Sequence, residues 1–385
     1  MGGTGGKTGG IVGKKHMKKA RYIMLGGFLG AGKTTAVAAL ARKLSTSGMR
    51  VGLITNDQGQ HLVDTAMLRS KGFATEEIGG GCFCCRFNSL MEAAEKLTSE
   101  ARPDVFIAEP VGSCTDLVAT VTYPLRRIYG EQFCIAPLSV LIDPLRAMRV
   151  FGLSSGGTFS QKVLYIYRKQ LEEADIIVIS KSDLLSGEQT ESLRRTLAAE
   201  FPRAQILEAS PRTGAGLDPW FDILQSSEQK EYSAMEIDYD VYAEGEALLG
   251  WLNATVAVSS PEDFDPNELL TTFAEMLQRD LRNHSAEVAH LKMTFSPDSG
   301  LGDIAVINLV RNDFVPELSI RMEQAVSAGQ IILNLRAEAA PDRLIESVET
   351  ALKNLAPQAS PLCAVLEHRE HFRPGRPVPT HRISP

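Results

Sequence analysis

The chain has 385 residues and a formal net charge of −7, with 44% hydrophobic and 23% charged residues. That length allows two domains with separate cores, and the composition is ordinary for a globular protein. The acidic balance argues against nucleic acid as a partner, and no apolar run is long enough to cross a bilayer. We therefore expect a cytoplasmic protein that binds neither nucleic acid nor membrane.

The first part of the chain alternates short apolar runs with helical stretches. Residues 1–20 are glycine-rich and basic, without periodicity, so we expect a disordered tail there. The predicted strands are Arg21–Leu25, Val51–Thr55, Val105–Ala108, Val140–Ile142, Ile176–Ile179 and Ile206–Glu208, and a helix is predicted over Lys33–Ser45. This alternation is typical of an α/β domain with a mostly parallel sheet, here over residues 21–227.

A phosphate-binding pattern lies between the first predicted strand and the first helix. Residues 27–34 read Gly-Phe-Leu-Gly-Ala-Gly-Lys-Thr, which matches G-x-x-x-x-G-K-[ST]. The glycines let backbone N–H groups surround phosphates, Lys33 would reach the β- and γ-phosphates, and the Thr34 hydroxyl would bind Mg²⁺. The residues predicted to contact the nucleotide here are Gly27, Gly30, Gly32, Lys33, Thr34 and Thr35.

A carboxylate follows a later buried strand at a position where it could reach a bound magnesium ion. Glu109 follows the strand at 105–108, and Gly112 comes three residues later. A carboxylate at this place can hold the Mg²⁺ or its water, and the Gly112 N–H can touch the γ-phosphate. We therefore expect Glu109 to be catalytic and Gly112 to bind the nucleotide.

The segment Ser180-Lys181-Ser182-Asp183 follows another buried strand. Asp183 can accept the two N–H donors on the edge of guanine, while the stem of Lys181 can pack on the base. The first residue of this guanine-binding pattern is usually Asn. The serine at position 180 therefore leaves the strictness of GTP over ATP open.

Three of the six cysteines crowd into one short segment. Residues 79–85 read Gly-Gly-Gly-Cys-Phe-Cys-Cys, a spacing that suits metal ligands better than a disulfide framework. Three thiolates suit Zn²⁺ or another borderline-soft ion and leave a coordination position open. We predict that Cys82, Cys84 and Cys85 bind metal, with a redox-active thiol pair as the alternative.

The remainder of the chain predicts a second, smaller α+β domain. Residues 228–250 are rich in acidic side chains and are predicted to be a linker. The elements predicted over 251–356 are strands Trp251–Val258, Leu291–Phe295, Ile304–Val310 and Ile331–Leu335, a helix that begins at Asp265, and a helix over Pro341–Leu355. The proline-rich residues 357–385 are predicted to be irregular. No chemistry is evident in this part, so we expect it to dock a client or a second copy of the chain.

Together these patterns resemble the CobW/HypB/UreG family of P-loop GTPases, and in particular its CobW-like metallochaperone branch. The resemblance rests on four segments in the family order, which are residues 27–34, 81–85, 109–112 and 180–183. It implies a P-loop NTPase fold, slow hydrolysis of GTP, and delivery of Zn²⁺, Co²⁺ or Ni²⁺ to a client metalloprotein or a cofactor-assembly protein.

The same resemblance implies roles for particular residues. Cys82, Cys84 and Cys85 would bind the metal, and Asn56 and Asp57 would lie in a switch loop near Mg²⁺. Asp57 is therefore expected to act with Lys33 and Glu109 in catalysis. The chain lacks the histidine-rich stretches that some members carry, which argues against a nickel store.

Two other functions remain open from the sequence. An ATP-using small-molecule kinase or ATPase could use the same loop, and it would bind ATP as well as GTP. A non-catalytic redox or scaffold module with a structural nucleotide would show no turnover and a reversible disulfide among the clustered cysteines.

Overall fold

A computed structural model describes residues 19–56, 68, 72–298, 303–355 and 361–384. Asp57 and residues 1–18 of the predicted tail lie outside the described residues. Two β-sheets organise the rest of the chain, the first entirely parallel and the second antiparallel. The predicted fold class, a parallel α/β core followed by a smaller α+β unit, is confirmed.

The first sheet has eight strands within the described ranges. They are β1 (Ala20–Gly27), β2 (Val51–Asn56), β3 (Ala74–Ile78), β4 (Val105–Glu109), β5 (Phe133–Ile135), β6 (Ser139–Ile142), β7 (Ile176–Ile179) and β8 (Gln205–Glu208). Their order is β3-β2-β4-β1-β6-β7-β8, and the short β5 pairs with the beginning of β1. All the strands predicted for this region are therefore present, while β3 and β5 are additional.

Helices cover both faces of this sheet. They are α1 (Lys33–Thr46), α2 (Phe87–Glu100), α3 (Tyr123–Tyr129), α4 (Pro144–Val150), α5 (Gln161–Glu172), α6 (Gly187–Glu200) and α7 (Leu217–Ser226). Successive residues of β1 enter two different cores: Ile23 packs with α1 and α7, whereas Tyr22 and Met24 pack with α2 and α5. Burial on both faces explains why these strands read as continuous apolar runs.

The second sheet and its helices follow a short connecting helix. The elements are α8 (Tyr239–Leu248), β9 (Leu249–Phe264), α9 (Pro266–Asn283), β10 (Glu287–Pro297), β11 (Ala305–Leu309), β12 (Glu317–Ile320), β13 (Val326–Glu338), α10 (Pro341–Leu355) and β14 (Cys363–Phe372). The strand order is β12-β11-β10-β13-β9-β14. Apolar side chains of α9 and α10 share one core with the sheet, as their helical periodicity predicts.

Part of the segment predicted to be an acidic linker is a packed helix. Within residues 228–250, Tyr242 and Glu246 of α8 are buried, and Glu246 accepts a hydrogen bond from Ser113 Oγ at 2.6 Å. This helix packs against α5 so closely that a Cβ at Gly245 would lie 2.4 Å from the Lys162 carbonyl oxygen. The many acidic residues of the segment hide the small apolar face of this helix in the sequence pattern. The linker prediction is therefore wrong for residues 239–248.

The carboxyl-terminal segment is also more ordered than the sequence indicates. Within the predicted irregular stretch 357–385, β14 pairs antiparallel with β9. Residues 378–383 then return to the first part of the chain, where the Thr380 N–H donates to the Cys84 carbonyl oxygen and the Ile383 N–H donates to the Ala119 carbonyl oxygen. Long-range pairing, which local composition does not reveal, provides this order. Among the residues that the structure describes, none of the helices has the length and apolarity for a membrane crossing.

Candidate functional site

A cavity of about 470 Å³ opens at the carboxyl ends of the parallel strands. Its size is typical of a small-molecule pocket, and its place is where α/β sheets usually bind ligands. We call it the P-loop cavity. The predicted residues that line it are Gly30, Gly32, Lys33, Thr34, Thr35, Glu109, Gly112, Lys181 and Asp183. The structure thus brings together side chains from loops up to 150 positions apart in the sequence.

The loop after β1 has the geometry that its glycines allow. Gly32 precedes α1 with φ +90°, and Gly27 ends β1 with φ +129°, where a Cβ would lie 2.3 Å from the Leu141 carbonyl oxygen. The Lys33 ammonium donates to the Gly27 carbonyl oxygen at 2.9 Å. The loop therefore folds around its own lysine and presents the amino end of α1 to the cavity, an arrangement that favours phosphate.

Thr34 and Glu109 meet at one edge of the cavity. The Thr34 hydroxyl donates to Glu109 Oε1 at 2.9 Å, and both residues are buried. A hydroxyl and a carboxylate are the hard oxygen donors that Mg²⁺ prefers. The residues present therefore fit a magnesium ion beside the phosphates.

The loop after β7 is tied to the loop after β1. The Ser180 hydroxyl is fully buried and donates to the Ala31 carbonyl oxygen at 2.7 Å, while Lys181 Nζ donates to the Gly30 carbonyl oxygen at 2.8 Å. Asp183 lies at the cavity, where Arg212 Nε is 3.7 Å from its carboxylate. Ser180, the departure from the usual asparagine, thus supports the phosphate-binding loop.

Asp143, which follows β6, is a buried centre of charge that the sequence did not reveal. Its carboxylate accepts hydrogen bonds from Lys181 Nζ at 2.9 Å, Arg311 Nη1 at 2.7 Å and the Arg146 backbone N–H at 3.0 Å. Burial favours a raised pKa, but the charges of Lys181, Arg311 and Arg146 outweigh it and hold the Asp143 pKa at about 2. Asp143 therefore remains ionised and links the two sheets.

The second sheet supplies one wall of the P-loop cavity. Its lining residues include His290, Lys292, Asn308, Arg311 and Glu317. Lys292 Nζ lies 3.5 Å from Thr34 Oγ1, and Glu317 pairs with Arg212 at 3.1 Å. This part of the chain therefore contributes side chains to the cavity, which the sequence did not indicate. The available signal was two basic residues, His290 and Lys292, at alternate positions of the strand, with apolar residues on either side of each.

The three predicted metal ligands converge. The Sγ–Sγ distances are 2.7 Å from Cys82 to Cys84, 3.3 Å from Cys82 to Cys85 and 3.6 Å from Cys84 to Cys85. Cys82 and Cys84 are buried and Cys85 is half-buried. We call these residues the cysteine cluster. A donor set of three sulfurs within 4.8 Å of one another fits a thiophilic ion such as Zn²⁺.

One thiol of the cluster, that of Cys82, has a lowered pKa that favours its thiolate form. Hydrogen bonds from Cys114, then from Cys84 and Cys85, hold the pKa of the Cys82 thiol well below its ordinary value, although burial opposes them. Cys114 therefore belongs to the immediate surroundings of the cluster.

Residues from the end of the chain lie across the cysteine cluster. The Val378 N–H donates to Cys85 Sγ at 3.2 Å, and the Thr380 N–H donates to the Cys84 carbonyl oxygen at 2.8 Å. The imidazole of His381 packs edge-on against Phe87. No sequence pattern indicated this contact, because its partners are almost 300 residues apart.

Short hydrogen-bonded paths connect the P-loop cavity to the cysteine cluster. Asn56 lines the cavity, and its amide donates to the carbonyl oxygens of Ile78 at 2.9 Å and Gly81 at 2.7 Å. Gln170 Nε2 donates to the carbonyl oxygens of Gly112 at 2.9 Å and Cys114 at 2.8 Å. Each of these connections is one side chain long.

Comparisons with known proteins agree with this geometry. The zinc chaperone YeiR of Escherichia coli is 30% identical over 46% of this chain and 50% of its own length. The zinc chaperone CobW of a Sinorhizobium species is 28% identical over 49% of this chain and 58% of its own length. The chain thus spans about half the length of the curated relatives it matches.

Solved structures give a looser likeness. The Zn(II)-bound YjiA GTPase of E. coli has 15% sequence identity and a TM-score of 0.37, covering 88% of this chain and 99% of that one. The family model for the CobW/HypB/UreG nucleotide-binding domain matches residues 21–208. The parallel sheet and its phosphate-binding loop therefore form a CobW/HypB/UreG nucleotide-binding domain.

Proposed function

We propose that this protein is a GTP-hydrolysing metallochaperone that binds Zn²⁺ or Co²⁺ through Cys82, Cys84 and Cys85 and passes the ion to a client metalloprotein or a cofactor-assembly protein. The observation that carries the proposal is the connection through Asn56, whose side chain lines the P-loop cavity and holds the backbone next to the cysteine cluster. The relatives named as zinc chaperones support the same function.

The first half of the proposal is nucleotide hydrolysis. Lys33 and the N–H groups at the start of α1 would bind the phosphates, with Gly112 at the γ-phosphate. Mg²⁺, held by Thr34 and Glu109, would supply positive charge to the phosphate oxygens. Asp57, outside the described residues, is proposed to assist at the magnesium.

Selection of the base is assigned to the loop after β7. The Asp183 carboxylate would accept the N1 and N2 hydrogens of guanine, a pair of charge-assisted bonds that adenine cannot provide. Lys181, held by the Gly30 carbonyl oxygen and Asp143, would lay its methylene stem along the base.

The second half of the proposal is metal carriage. Three sulfur ligands leave one position of a tetrahedral ion open, so a client ligand can enter before the protein ligands leave. A cysteine thiol must lose its proton to bind a metal ion, and the lowered pKa of Cys82 favours this loss. We expect the protein to act in the cytoplasm, where thiols stay reduced.

Coupling between the halves follows from the two hydrogen-bonded paths. A γ-phosphate that moves Asn56 or Gly112 also moves the carbonyl oxygens of Gly81 and Cys114, because Asn56 and Gln170 bond to them. The cysteine cluster would therefore bind metal with different affinity in the GTP and GDP states. Linkage of this kind is typically about 5- to 150-fold.

The deciding experiment measures Zn²⁺ and Co²⁺ affinity by chelator competition in the presence of GDP and then of a non-hydrolysable GTP analogue. A difference of about fivefold or more that disappears in Cys84→Ser supports the proposal. Cys363→Ser is the matched control, because Cys363 is an exposed thiol outside the cluster and should leave affinity unchanged. Equal affinities in both nucleotide states would reject the coupled function.

A parallel measurement tests the hydrolytic half. Lys33→Ala should abolish GTP turnover while metal binding stays measurable, because Lys33 faces the phosphates and lies outside the cysteine cluster. Persistent turnover would show that the nucleotide site is wrongly assigned. Equal binding of ATP would favour a kinase or ATPase, and a reversible disulfide within the cluster without turnover would favour a redox module.

A further inference from the structure

The antiparallel sheet brings a lysine to the phosphate end of the P-loop cavity. Lys292 Nζ lies 3.5 Å from Thr34 Oγ1, which in turn donates to Glu109 Oε1 at 2.9 Å. In P-loop NTPases the threonine at this position holds the Mg²⁺ that bridges the β- and γ-phosphates. An ammonium group within 4 Å of that threonine is therefore within reach of the γ-phosphate.

A second basic side chain on the same strand face indicates that this wall is built for a ligand. His290 precedes Lys292 by two residues, so both point to the same side of β10. His290 is only 7% exposed and lines the P-loop cavity, and its Nε2 has no hydrogen-bond partner among the described residues. A buried polar nitrogen without a partner is costly, and a ligand in the cavity can satisfy it.

The wall is fixed relative to the phosphate-binding loop. The buried guanidinium of Arg146 donates to the Leu29 carbonyl oxygen at 2.7 Å and to the Val288 carbonyl oxygen at 3.2 Å. A Cβ at Gly30 would lie 3.1 Å from the Ala289 carbonyl oxygen, so loop and strand touch directly. Lys292 thus approaches the nucleotide from a position set by the fold.

We propose that Lys292 contacts the γ-phosphate and supplies, from the carboxyl-terminal sheet, a positive charge that hydrolysis requires. This inference rests on the proposed GTPase function. Water attacks the γ-phosphorus, the bond from that phosphorus to the β–γ bridging oxygen breaks, and its electron pair stays on the β-phosphate of GDP. Both hydrogens of the water leave with the phosphate product, H₂PO₄⁻. Lys292 keeps its own protons and neutralises charge on the phosphate oxygens.

The contact also makes the second sheet a sensor of the nucleotide state. GDP has no γ-phosphate, so it gives Lys292 nothing to hold, whereas GTP draws Lys292 and β10 towards Thr34. The antiparallel sheet would then differ between the two states at the strand that touches the nucleotide.

The test compares the full-length protein with Lys292→Ala and Lys292→Arg. Lys292→Ala should slow single-turnover GTP hydrolysis by about a hundredfold or more, since removing one donor to the charge of the transition state costs about 10²- to 10³-fold in rate. It should weaken a non-hydrolysable GTP analogue by about tenfold, the effect of one charged hydrogen bond, and leave GDP affinity unchanged. Lys292→Arg should recover part of both losses, because it keeps the charge.

Lys353→Ala removes an exposed lysine of α10 and serves as the matched control, with no expected effect. Hydrolysis and analogue affinity within about twofold of the unaltered protein in Lys292→Ala would overturn the inference. Loss of GDP and analogue affinity by equal factors would also overturn it, because that result means a structural role.

Failure of the parent proposal would look different. An unaltered protein that binds the analogue but hydrolyses no GTP would refute the GTPase function. The ratio of analogue affinity to GDP affinity, compared between the unaltered protein and Lys292→Ala, would still show whether Lys292 contacts the γ-phosphate. If Lys292→Ala does not fold, Lys292→Gln retains the side-chain length without the charge and provides the same ratio.

Discussion

Replacing Asp143 by asparagine removes one negative charge from the network between the sheets and keeps the shape of the side chain. The carboxylate is 3% exposed and accepts hydrogen bonds from Lys181 and Arg311. Arg311 is equally buried, with 3% of its side chain exposed. Asp143→Asn therefore leaves two cations facing a neutral amide, and one of them, Arg311, is almost fully buried.

The magnitude follows from the pKa and from the burial of Arg311. The difference between the ordinary pKa of 3.8 and about 2 for Asp143 corresponds to about 2 kcal/mol of folding free energy. Breaking a buried ion pair by removing one partner typically costs about 3–5 kcal/mol, because the other charge stays buried. Arg311 retains a partner in Asp313 at 3.2 Å, so we expect about 3 kcal/mol, the low end of that range.

The dependence on pH has a definite sign. A carboxylate whose pKa is lowered on folding contributes stability above its unfolded pKa, and this contribution is lost as the pH falls through the folded value. The stabilisation by Asp143 is thus complete above pH 4 or so and disappears towards pH 2. The unaltered protein and Asp143→Asn should differ at pH 7 and differ less at pH 3.

Urea unfolding followed by circular dichroism at these two pH values measures the difference. Asp313→Asn is the matched control, since Asp313 pairs with Arg149 and Arg311 but is 49% exposed, and a surface pair contributes about 1 kcal/mol or less. Equal midpoints for Asp143→Asn and the unaltered protein at pH 7 would refute the reasoning, as would a gap that widens in acid.

Two further predictions concern single carboxylates. Burial raises the pKa of Glu173 to about 8, so between about pH 4.5 and 8 the unfolded chain releases this proton while the folded protein keeps it, and the fold loses stability across that window. Glu173→Gln does not ionise and can still accept the Val118 N–H, so it should gain up to about 5 kcal/mol over the unaltered protein by the upper end of the window. Thermal unfolding between pH 5 and 8.5 measures the gain, and parallel curves for the two proteins would contradict it. Asp183→Asn should weaken GTP by about tenfold to a hundredfold and leave ATP unchanged, because one charge-assisted acceptor of the guanine edge is lost. Competition binding with both nucleotides tests this, and an equal loss for ATP would exclude base recognition by Asp183.

The sequence was sufficient for the elements in which chemistry and local structure coincide. The glycines before Lys33 are required by the positive φ angles and the close approaches of the loop, so the pattern specifies both the turn and its ligand. The crowding of Cys82, Cys84 and Cys85 likewise placed three sulfurs within 4.8 Å of one another. In both segments the residues that would bind the ligand lie within a few positions of one another in the sequence.

Features that depend on distant partners were missed. From its neighbours in the sequence, Asp143 is an ordinary helix cap of α4, and only the folded protein shows its ion pair with Arg311 of the second sheet. Lys292 is likewise an ordinary strand residue in the sequence, and its contact with Thr34 depends on the packing of β10 against the loop after β1. The segment at Thr380 bonds to the cysteine cluster although its own composition suggests no structure. Contacts between residues more than 150 positions apart determine these sites, and a local sequence pattern cannot predict such contacts.

Arg146 has a consequence for how the molecule unfolds. Its guanidinium donates to one carbonyl oxygen of the phosphate-binding loop and to carbonyl oxygens of Val288, Ala289 and Val310 in the antiparallel half. Unfolding of either half alone would therefore break hydrogen bonds that hold the other half in place. The two halves therefore form one cooperative unit, which should lose its structure in a single transition. Phe273→Ala, which removes a packed side chain of α9 and leaves a cavity, would therefore destabilise the whole unit. The folded nucleotide site would then persist for a shorter time.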